Sequence, residues 1–263
     1  MTSTAPKDRA RGAAATGARA LGRPCDASAM AISGASPGRA AAAEAAVELM
    51  EPDMTIGLGS GRAVWAVIEA VGARWPDGHQ IRTVVASEAT FAMANAAGME
   101  IVPLDGSHAL DLAIDGADEV GPDLRLLKGG GGALLRERIV AAAATRFIVV
   151  AESTKKVDRL GQSFRLPVEI IRFGWRDTRR RLADLLPDAE LRAVGDEPYM
   201  TDQIHYILDC AIPEETDPDE LARALETVPG VVDHGLFLGI AERALLGTPE
   251  GEVEVIERPP PVG

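Results

Sequence analysis

From Pro37 onward, short apolar runs alternate with longer amphipathic or alanine-rich stretches, and this rhythm predicts the elements. Residues 37–50, PGRAAAAEAAVELM, read as a helix with Pro37 in its first turn. Residues 54–58 form a short apolar strand that runs into Gly59-Ser60-Gly61 and a helix over 63–71. Strand 81–86, helix 89–97, strands 100–103 and 111–115, helix 133–146 and strand 147–151 follow. Such alternation builds βαβ units around a parallel sheet. After Leu160 the order becomes strand 165–171, helix 176–186, strands 190–194 and 205–211, helix 217–227 and strand 230–236. That β-α-β-β-α-β order suits a small ferredoxin-like module. Residues 242–256 are expected to return to the first sheet, and 257–263 to form a frayed tail.

Composition narrows the picture. Hydrophobic residues make up 46% of the 263 and aromatics only 4%, so the core must be aliphatic. A net charge of -13 argues against nucleic acid or an anionic membrane as partner, since both need a basic face. It leaves room for an anionic small molecule, provided cations gather locally. Cys25 and Cys210 have no CxxC spacing, which fits a reducing, cytoplasmic setting. No apolar run reaches 18 residues. Residues 1–36 are rich in small residues and Arg, lack an apolar h-region, and are expected to be a disordered tail; an organelle transit peptide or an upstream start ahead of Met30 are the alternatives.

Four stretches carry chemistry. Gly57-Leu58-Gly59-Ser60-Gly61 lies between a strand and a helix, where glycine lets a ligand approach and the helix start offers free N–H groups to an anion. A dinucleotide fingerprint would need glycine at 62, where Arg62 stands, so a phosphate loop for a small ligand is the better reading. Asp115-Gly116-Ala117-Asp118-Glu119 ends a strand, at the sheet edge where α/β proteins bind ligands. Its three acids repel one another unless cations or a ligand use them. Lys128 precedes four glycines, 129–132, whose amides suit an anion nest for a developing oxyanion. Glu137 follows in the first turn of the next helix, where dipole and burial compete over its pKa and can tune a general base. Finally, Ala151-Glu152-Ser153-Thr154-Lys155-Lys156 places lysine just after a strand, at an edge where it can close over a phosphate. No metal-ligand spacing is present, because His79, His108, His205 and His234 are scattered. Each stretch alone has an ordinary structural alternative: a plain turn, an exposed acidic loop, a first-turn Glu or a surface lysine.

In this order, IGLGSG, DLAIDGADEV, LKGGGGALLRERIV, FIVVAESTKKV, LPVEI, VPGVVDHGLF and LLGTPEG resemble the type A family of ribose-5-phosphate isomerases over about residues 37–256. The resemblance implies an α/β protein: a Rossmann-like catalytic domain, 37–160 plus 242–256, and a smaller ferredoxin-like α+β lid, 161–241. It implies interconversion of ribose 5-phosphate and ribulose 5-phosphate in the non-oxidative pentose phosphate branch, without metal or organic cofactor. Glu137 resembles the base between C1 and C2. Asp115 and Lys128 resemble its partners in ring opening and oxygen polarisation, and Asp118 a further pocket aspartate. Gly59, Ser60, Gly61, Arg62, Ala63, Gly129, Gly130, Gly131, Lys155 and Arg39 fall at substrate-binding positions.

The phosphate end departs from the family pattern. GSGRA stands where GTGST is usual, Arg39 replaces a lysine, and Thr201-Asp202-Gln203-Ile204-His205 stands where TDNGN is usual. An isomerase for another sugar phosphate therefore stays open, as does a sugar-phosphate-sensing domain without activity. A nucleotide-cofactor oxidoreductase is disfavoured by the missing third glycine. A homodimer or higher homo-oligomer is expected.

Overall fold

The apolar runs of the first part of the chain and of its last part become neighbours in one sheet. A computed structural model describes residues 36–76 and 80–258, together with Met1. The expected tail over 1–36 (Met1 and Ser36 apart), His79 and residues 259–263 lie outside the described residues. Helix α1 (Pro37–Val47) is followed by β1 (Thr55–Leu58), α2 (Arg62–Arg74), β2 (Arg82–Val85), α3 (Glu88–Ala96), β3 (Glu100–Ile101) and β4 (Leu110–Asp115). Short strands β5 (Glu119–Val120) and β6 (Leu126–Leu127) precede α4 (Leu134–Ala143) and the long β7 (Ala144–Glu152). Next come β8 (Leu166–Ile170), α5 (Trp175–Leu182), β9 (Glu190–Leu191), β10 (Ala193–Val194), β11 (Glu197–Pro198), β12 (Tyr206–Cys210), α6 (Pro218–Glu226) and β13 (Val231–His234). The chain closes through β14 (Leu236–Phe237), β15 (Arg243–Gly247) and β16 (Val253–Glu257).

The large sheet has the order β16-β15-β7-β4-β1-β2-β3, with every neighbouring pair parallel except β15 with β16. All four residues of β1 are buried, as expected of a central strand covered on both faces. Ala43, Ala46, Val64 and Val67 of α1 and α2 belong to the core on one face, and Val140 and Ala141 of α4 to the core on the other. Because β7, β4 and β1 are adjacent, the loops after their C-terminal ends lie side by side, and this is where the sequence concentrates its chemistry. The second sheet runs β13-β8-β12-β9, antiparallel throughout. Leu182, Leu221 and Leu225 from α5 and α6 share its core with Val168 and Leu208. This is the split β-α-β order that the pattern after Leu160 predicts. A third sheet, β14-β6-β5, lies next in the chain to both groups and holds the segment leading to Lys128.

Several boundaries differ from the pattern. The helix expected over 133–146 stops at Ala143, and residues 144–146 already pair with β4, Ala144 opposite Leu110 and Arg146 opposite Leu112. Sheet pairing overrides local helix propensity there. The strand expected at 190–194 breaks at Arg192, where the chain leaves β9 for the β10–β11 hairpin. The helices expected to reach 50 and 186 end at Val47 and Leu182. Glu257 is the last residue of β16 rather than part of a loose tail. The two-residue strands β5, β6 and β14 are too short to leave a periodic trace.

Candidate active site

Asp115 ends β4, and its side chain is buried beneath the loop after β1. A Cβ on Gly59 would fall 1.8 Å from the Asp115 carboxyl carbon, so only glycine leaves room for that group. Asp115 Oδ1 accepts the N–H of Ser60 at 3.1 Å and of Gly116 at 2.7 Å, while Oδ2 lies 2.8 Å from Lys128 Nζ. The lysine Nζ also donates to the Gly116 carbonyl at 2.6 Å and sits 3.2 Å from Glu137 Oε2. Glu137 is held in the first turn of α4, its N–H bonded to Ala133 O at 2.9 Å. The three residues are 3%, 2% and 4% exposed, for Asp115, Lys128 and Glu137 in turn.

One cation between two buried carboxylates leaves a net negative charge out of water, and the pKa values respond. Burial pushes Glu137 up to about 8, with the Asp115 charge adding to the effect and Lys128 opposing it. Burial also raises Asp115, again against the pull of Lys128. For Lys128 burial works toward a lower pKa, but the Asp115 and Glu137 carboxylates outweigh it and hold the ammonium above its ordinary range. Lys128 therefore stays a cation while Glu137 exchanges a proton near neutral pH, which is what a base that must take up and return a proton requires.

The glycine run is more constrained than an open row of amides. Gly130 N–H is taken by Asp118 Oδ2 at 2.7 Å and Gly132 N–H by Gly129 O at 3.0 Å. The expectation that all four amides face a ligand is corrected accordingly; Gly129 and Gly131 retain theirs. Gly129 and Gly132 have φ of 101° and 81°, and a Cβ on Gly130 would meet Asp118 at 2.6 Å. Gly131 alone could carry a side chain, since a Cβ there meets nothing within 4 Å. The expected acidic cluster also separates. Glu119 turns away, wholly buried, to accept the N–H groups of Gly161, Ser163 and Phe164.

A cleft of about 420 Å³ opens over Lys128 and Glu137. It is lined by Asp118, Gly129, Gly130 and Gly131 at one end and by Arg39, Ser60, Gly61, Arg62, Ala63 and Lys155 at the other. Helix α2 starts at Arg62 with Gly61 at φ 94° and no side chain capping its first amides, a ready anion site. Arg62 is exposed and forms no ion pair among the described residues. Arg39 is paired to Glu152 at 3.0 Å. Gly59 and Asp115 do not line the cleft. Gly59 is corrected from ligand contact to support: its N–H goes to Ile114 O at 3.0 Å and its carbonyl accepts Thr90 Oγ1 at 2.8 Å.

The sequence reading missed several contributors. Glu152 and Phe164 line the same cleft; Glu152 stands at the end of β7 and was accessible to the sheet-edge argument, whereas Phe164 carries no local signal. Ser60 Oγ lies 2.9 Å from Ser87 Oγ, which donates to Thr90 Oγ1 at 3.0 Å, fixing the hydroxyl in the anion loop. Ser87 is recognisable in sequence only as a cap of α3.

A parallel sheet carrying a buried carboxylate–lysine–carboxylate group at its C-terminal edge, beside an uncapped helix start, defines the class: an α/β enzyme for proton transfer on a small anionic substrate. Comparison with known proteins makes this particular. Residues 82–251 match the family ribose 5-phosphate isomerase A (phosphoriboisomerase A). Ribose-5-phosphate isomerase A of Roseiflexus castenholzii is 46% identical over 220 residues, 82% of this chain and 94% of that protein. The Deinococcus radiodurans protein of the same name is 44% identical over 216 residues, 81% of this chain and 95% of its own. A solved D-ribose-5-phosphate isomerase in complex with phospho-erythronic acid superposes with a TM-score of 0.78 at 36% identity, covering 84% of this chain and 97% of that one. The chain belongs to the ribose-5-phosphate isomerase A family.

Proposed function

We propose that this chain interconverts ribose 5-phosphate and ribulose 5-phosphate through an enediolate, with Glu137 as the base. Glu137 removes the proton from C2 of the open-chain aldose and returns it to C1. The C2 hydroxyl gives up its proton as O1 gains one, so the aldehyde becomes a hydroxymethyl group and C2 a ketone. Lys128 stabilises the oxygen charge during transfer, Asp115 keeps the lysine in place and charged, and Asp118 faces the sugar hydroxyls. The phosphate lies at the start of α2, among Ser60, Gly61, Arg62 and Ala63, with Arg39 and Lys155 beside it. The observation that carries the reading is the buried Lys128 ammonium, 2.8 Å from Asp115 and 3.2 Å from Glu137. Coupled turnover of ribose 5-phosphate beside a panel of other aldose phosphates tests it, and a better rate on another sugar phosphate would overturn the substrate.

The finer organisation is part of the same proposal. Residues 161–241 act as a lid on a catalytic domain formed by 37–160 and 242–256. The enzyme works in the cytoplasm; among the described residues no helix is long and apolar enough to cross a membrane. It self-associates as a homodimer or higher oligomer, for which the exposed Phe91, Leu104 and Ile139 around one apolar groove offer a face. Light scattering at working concentration tests this last point, and a monomer mass would refute it.

A further inference from the structure

The three carbonyls of Gly129, Gly130 and Gly131 all receive donors from the β9–β12 region, far along the chain. Arg192 sits where the chain leaves β9. Its Nε and Nη2 bond the two carboxylate oxygens of Asp209 on β12, at 2.8 and 2.5 Å. Its remaining Nη1 donates to Gly129 O at 3.0 Å and Gly130 O at 3.1 Å. Tyr199 OH donates to Gly131 O at 3.2 Å, and the guanidinium carbon lies 5.8 Å from the Tyr199 ring centre. One edge of the guanidinium is thus fixed by a carboxylate, and the other grips the glycine loop.

The consequence follows from the planarity of the peptide. In a trans peptide the C=O and the next N–H point in opposite directions, and the described chain has no cis bonds. Holding Gly129 O from the small-sheet side aims Gly130 N–H the other way, and it meets the Asp118 carboxylate there at 2.7 Å. Holding Gly130 O aims Gly131 N–H away from Arg192 by the same geometry. That amide makes no hydrogen bond among the described residues, and Gly131 lines the substrate cleft. Beyond the turn bond from Gly132 N–H to Gly129 O, a four-glycine loop has little stiffness of its own, so its orientation depends on contacts from outside.

We infer that Arg192, seated on Asp209, is a positioning residue for isomerisation: it aims the Gly131 amide at the substrate oxygen that becomes negative in the enediolate and holds Asp118 in register. The inference rests on the proposed isomerase reading and deepens it. Arg192 touches no substrate; it acts through the glycine loop.

Three variants, Arg192→Ala, Arg192→Lys and Asp209→Asn, are compared with the wild type on ribose 5-phosphate. Arg192→Ala is expected to lose about 10–100-fold in kcat, somewhat less than the loss of a whole oxyanion donor. KM should move by less than about 3-fold, because the aim matters most where charge develops. Arg192→Lys, which cannot bond Asp209 and both carbonyls together, should recover only part of the rate. Phospho-erythronic acid, with a carboxylate in place of the reacting carbon, should inhibit Arg192→Ala more weakly, while inhibition by inorganic phosphate stays the same. Arg192 borders a solvent-open cleft of about 520 Å³ formed with Asp209, Glu190 and Phe164, so guanidinium ion can enter the vacated place. Millimolar guanidinium should restore rate to Arg192→Ala and not to Asp209→Asn. A folded Arg192→Ala, verified by circular dichroism, with wild-type kcat overturns the inference. So does equal weakening of phosphate and phospho-erythronic acid, which marks general collapse of the cleft. A wild type that does not isomerise ribose 5-phosphate overturns the functional reading itself, and this inference with it.

Discussion

Replacing Glu137 by glutamine removes the base and, at the same time, a carboxylate whose charge is costly to hold in this buried place. The carboxyl is 4% exposed and its pKa stands at about 8 against an ordinary 4.5. A carboxyl whose folded pKa exceeds its unfolded value binds more protons when folded. Its contribution is therefore most favourable below about 4.5 and is lost as pH climbs through about 8. At about 1.4 kcal/mol per pKa unit, the cost of holding the ionised group approaches a ceiling of about 4–5 kcal/mol above pH 8. Glutamine keeps the shape and never ionises. Glu137→Gln should therefore melt close to the wild type at pH 5 and above it at pH 9. Nearly the whole ceiling is in force at pH 9, which at roughly 2–4 °C per kcal/mol for a chain of this size amounts to a gap of roughly 8–20 °C.

The assay is a set of thermal melts of both proteins at pH 5, 7 and 9, with turnover of ribose 5-phosphate measured on the same samples. Turnover should fall by about 10²–10⁴-fold, the usual contribution of a positioned general base. Wild-type kcat should itself rise with pH along a limb well above the ordinary carboxylate range. A melting gap that is flat in pH, or that narrows toward pH 9, would refute the claim that Glu137 is held at a raised pKa. Turnover near the wild-type value would remove it from the mechanism.

Further outcomes follow from the geometry. Arg62→Ser should raise KM for ribose 5-phosphate about 10-fold at low salt with kcat little changed, since charge-assisted hydrogen bonds contribute about 1.5–3 kcal/mol; an unchanged KM at low ionic strength would leave the phosphate to Ser60 and backbone amides. Gly59→Ala should abolish activity and lower stability, because the new Cβ falls 1.8 Å from the Asp115 carboxyl carbon, and retention of both would contradict the packing. Gly131→Ala, with open space at its Cβ, should melt within about 2 °C of the wild type, as unobstructed substitutions stay within about 0.5 kcal/mol. Exhaustive chelation should leave turnover unchanged; a loss reversed by a divalent ion would make Asp115 and Asp118 metal ligands instead.

What could be read from the sequence was whatever is local. The strand–glycine–helix passage at 57–63, the acid at the end of β4 and the Lys128–Glu137 spacing each sit within a dozen residues, and the βαβ rhythm brings them to one edge. The parallel sheet and the split order of the second sheet follow from the same periodicities. What could not be read depends on long-range approach. No pattern within the chain tells that Glu119 leaves its acidic neighbours for the amides of 161–164, or that Gly130 N–H is spent on Asp118. The fraying of α4 into β7 at Ala144 likewise comes from pairing with Leu110, thirty-odd residues earlier.

The late DHGLF stretch shows why such approaches matter to the chemistry. Lys128 N–H donates to Gly235 O at 2.9 Å, and Gly235 N–H to Pro167 O at 2.8 Å. A Cβ on Gly235 would lie 2.2 Å from the Lys128 carbonyl oxygen, so glycine is what lets the two segments meet. The residues flanking Gly235 are held in turn by Arg138. Its Nε bonds both Asp233 carboxylate oxygens at 2.8 Å, and its Nη2 bonds the carbonyls of His234 at 2.5 Å and Leu236 at 3.1 Å. Arg138 is the residue after Glu137. Adjacent helix positions point about 100° apart, so one side chain enters the cleft while the next is tied to the strand that fixes Lys128. The distance between base and ammonium is therefore set twice, through the side chains at 3.2 Å and through Arg138, Gly235 and the Lys128 backbone. A buried triad with net charge would relax apart if only its own attractions held it, because each ion gains by returning to water. Tying both ends to one antiparallel seam, β14 on β6, keeps the strained charges together through the whole proton-transfer cycle.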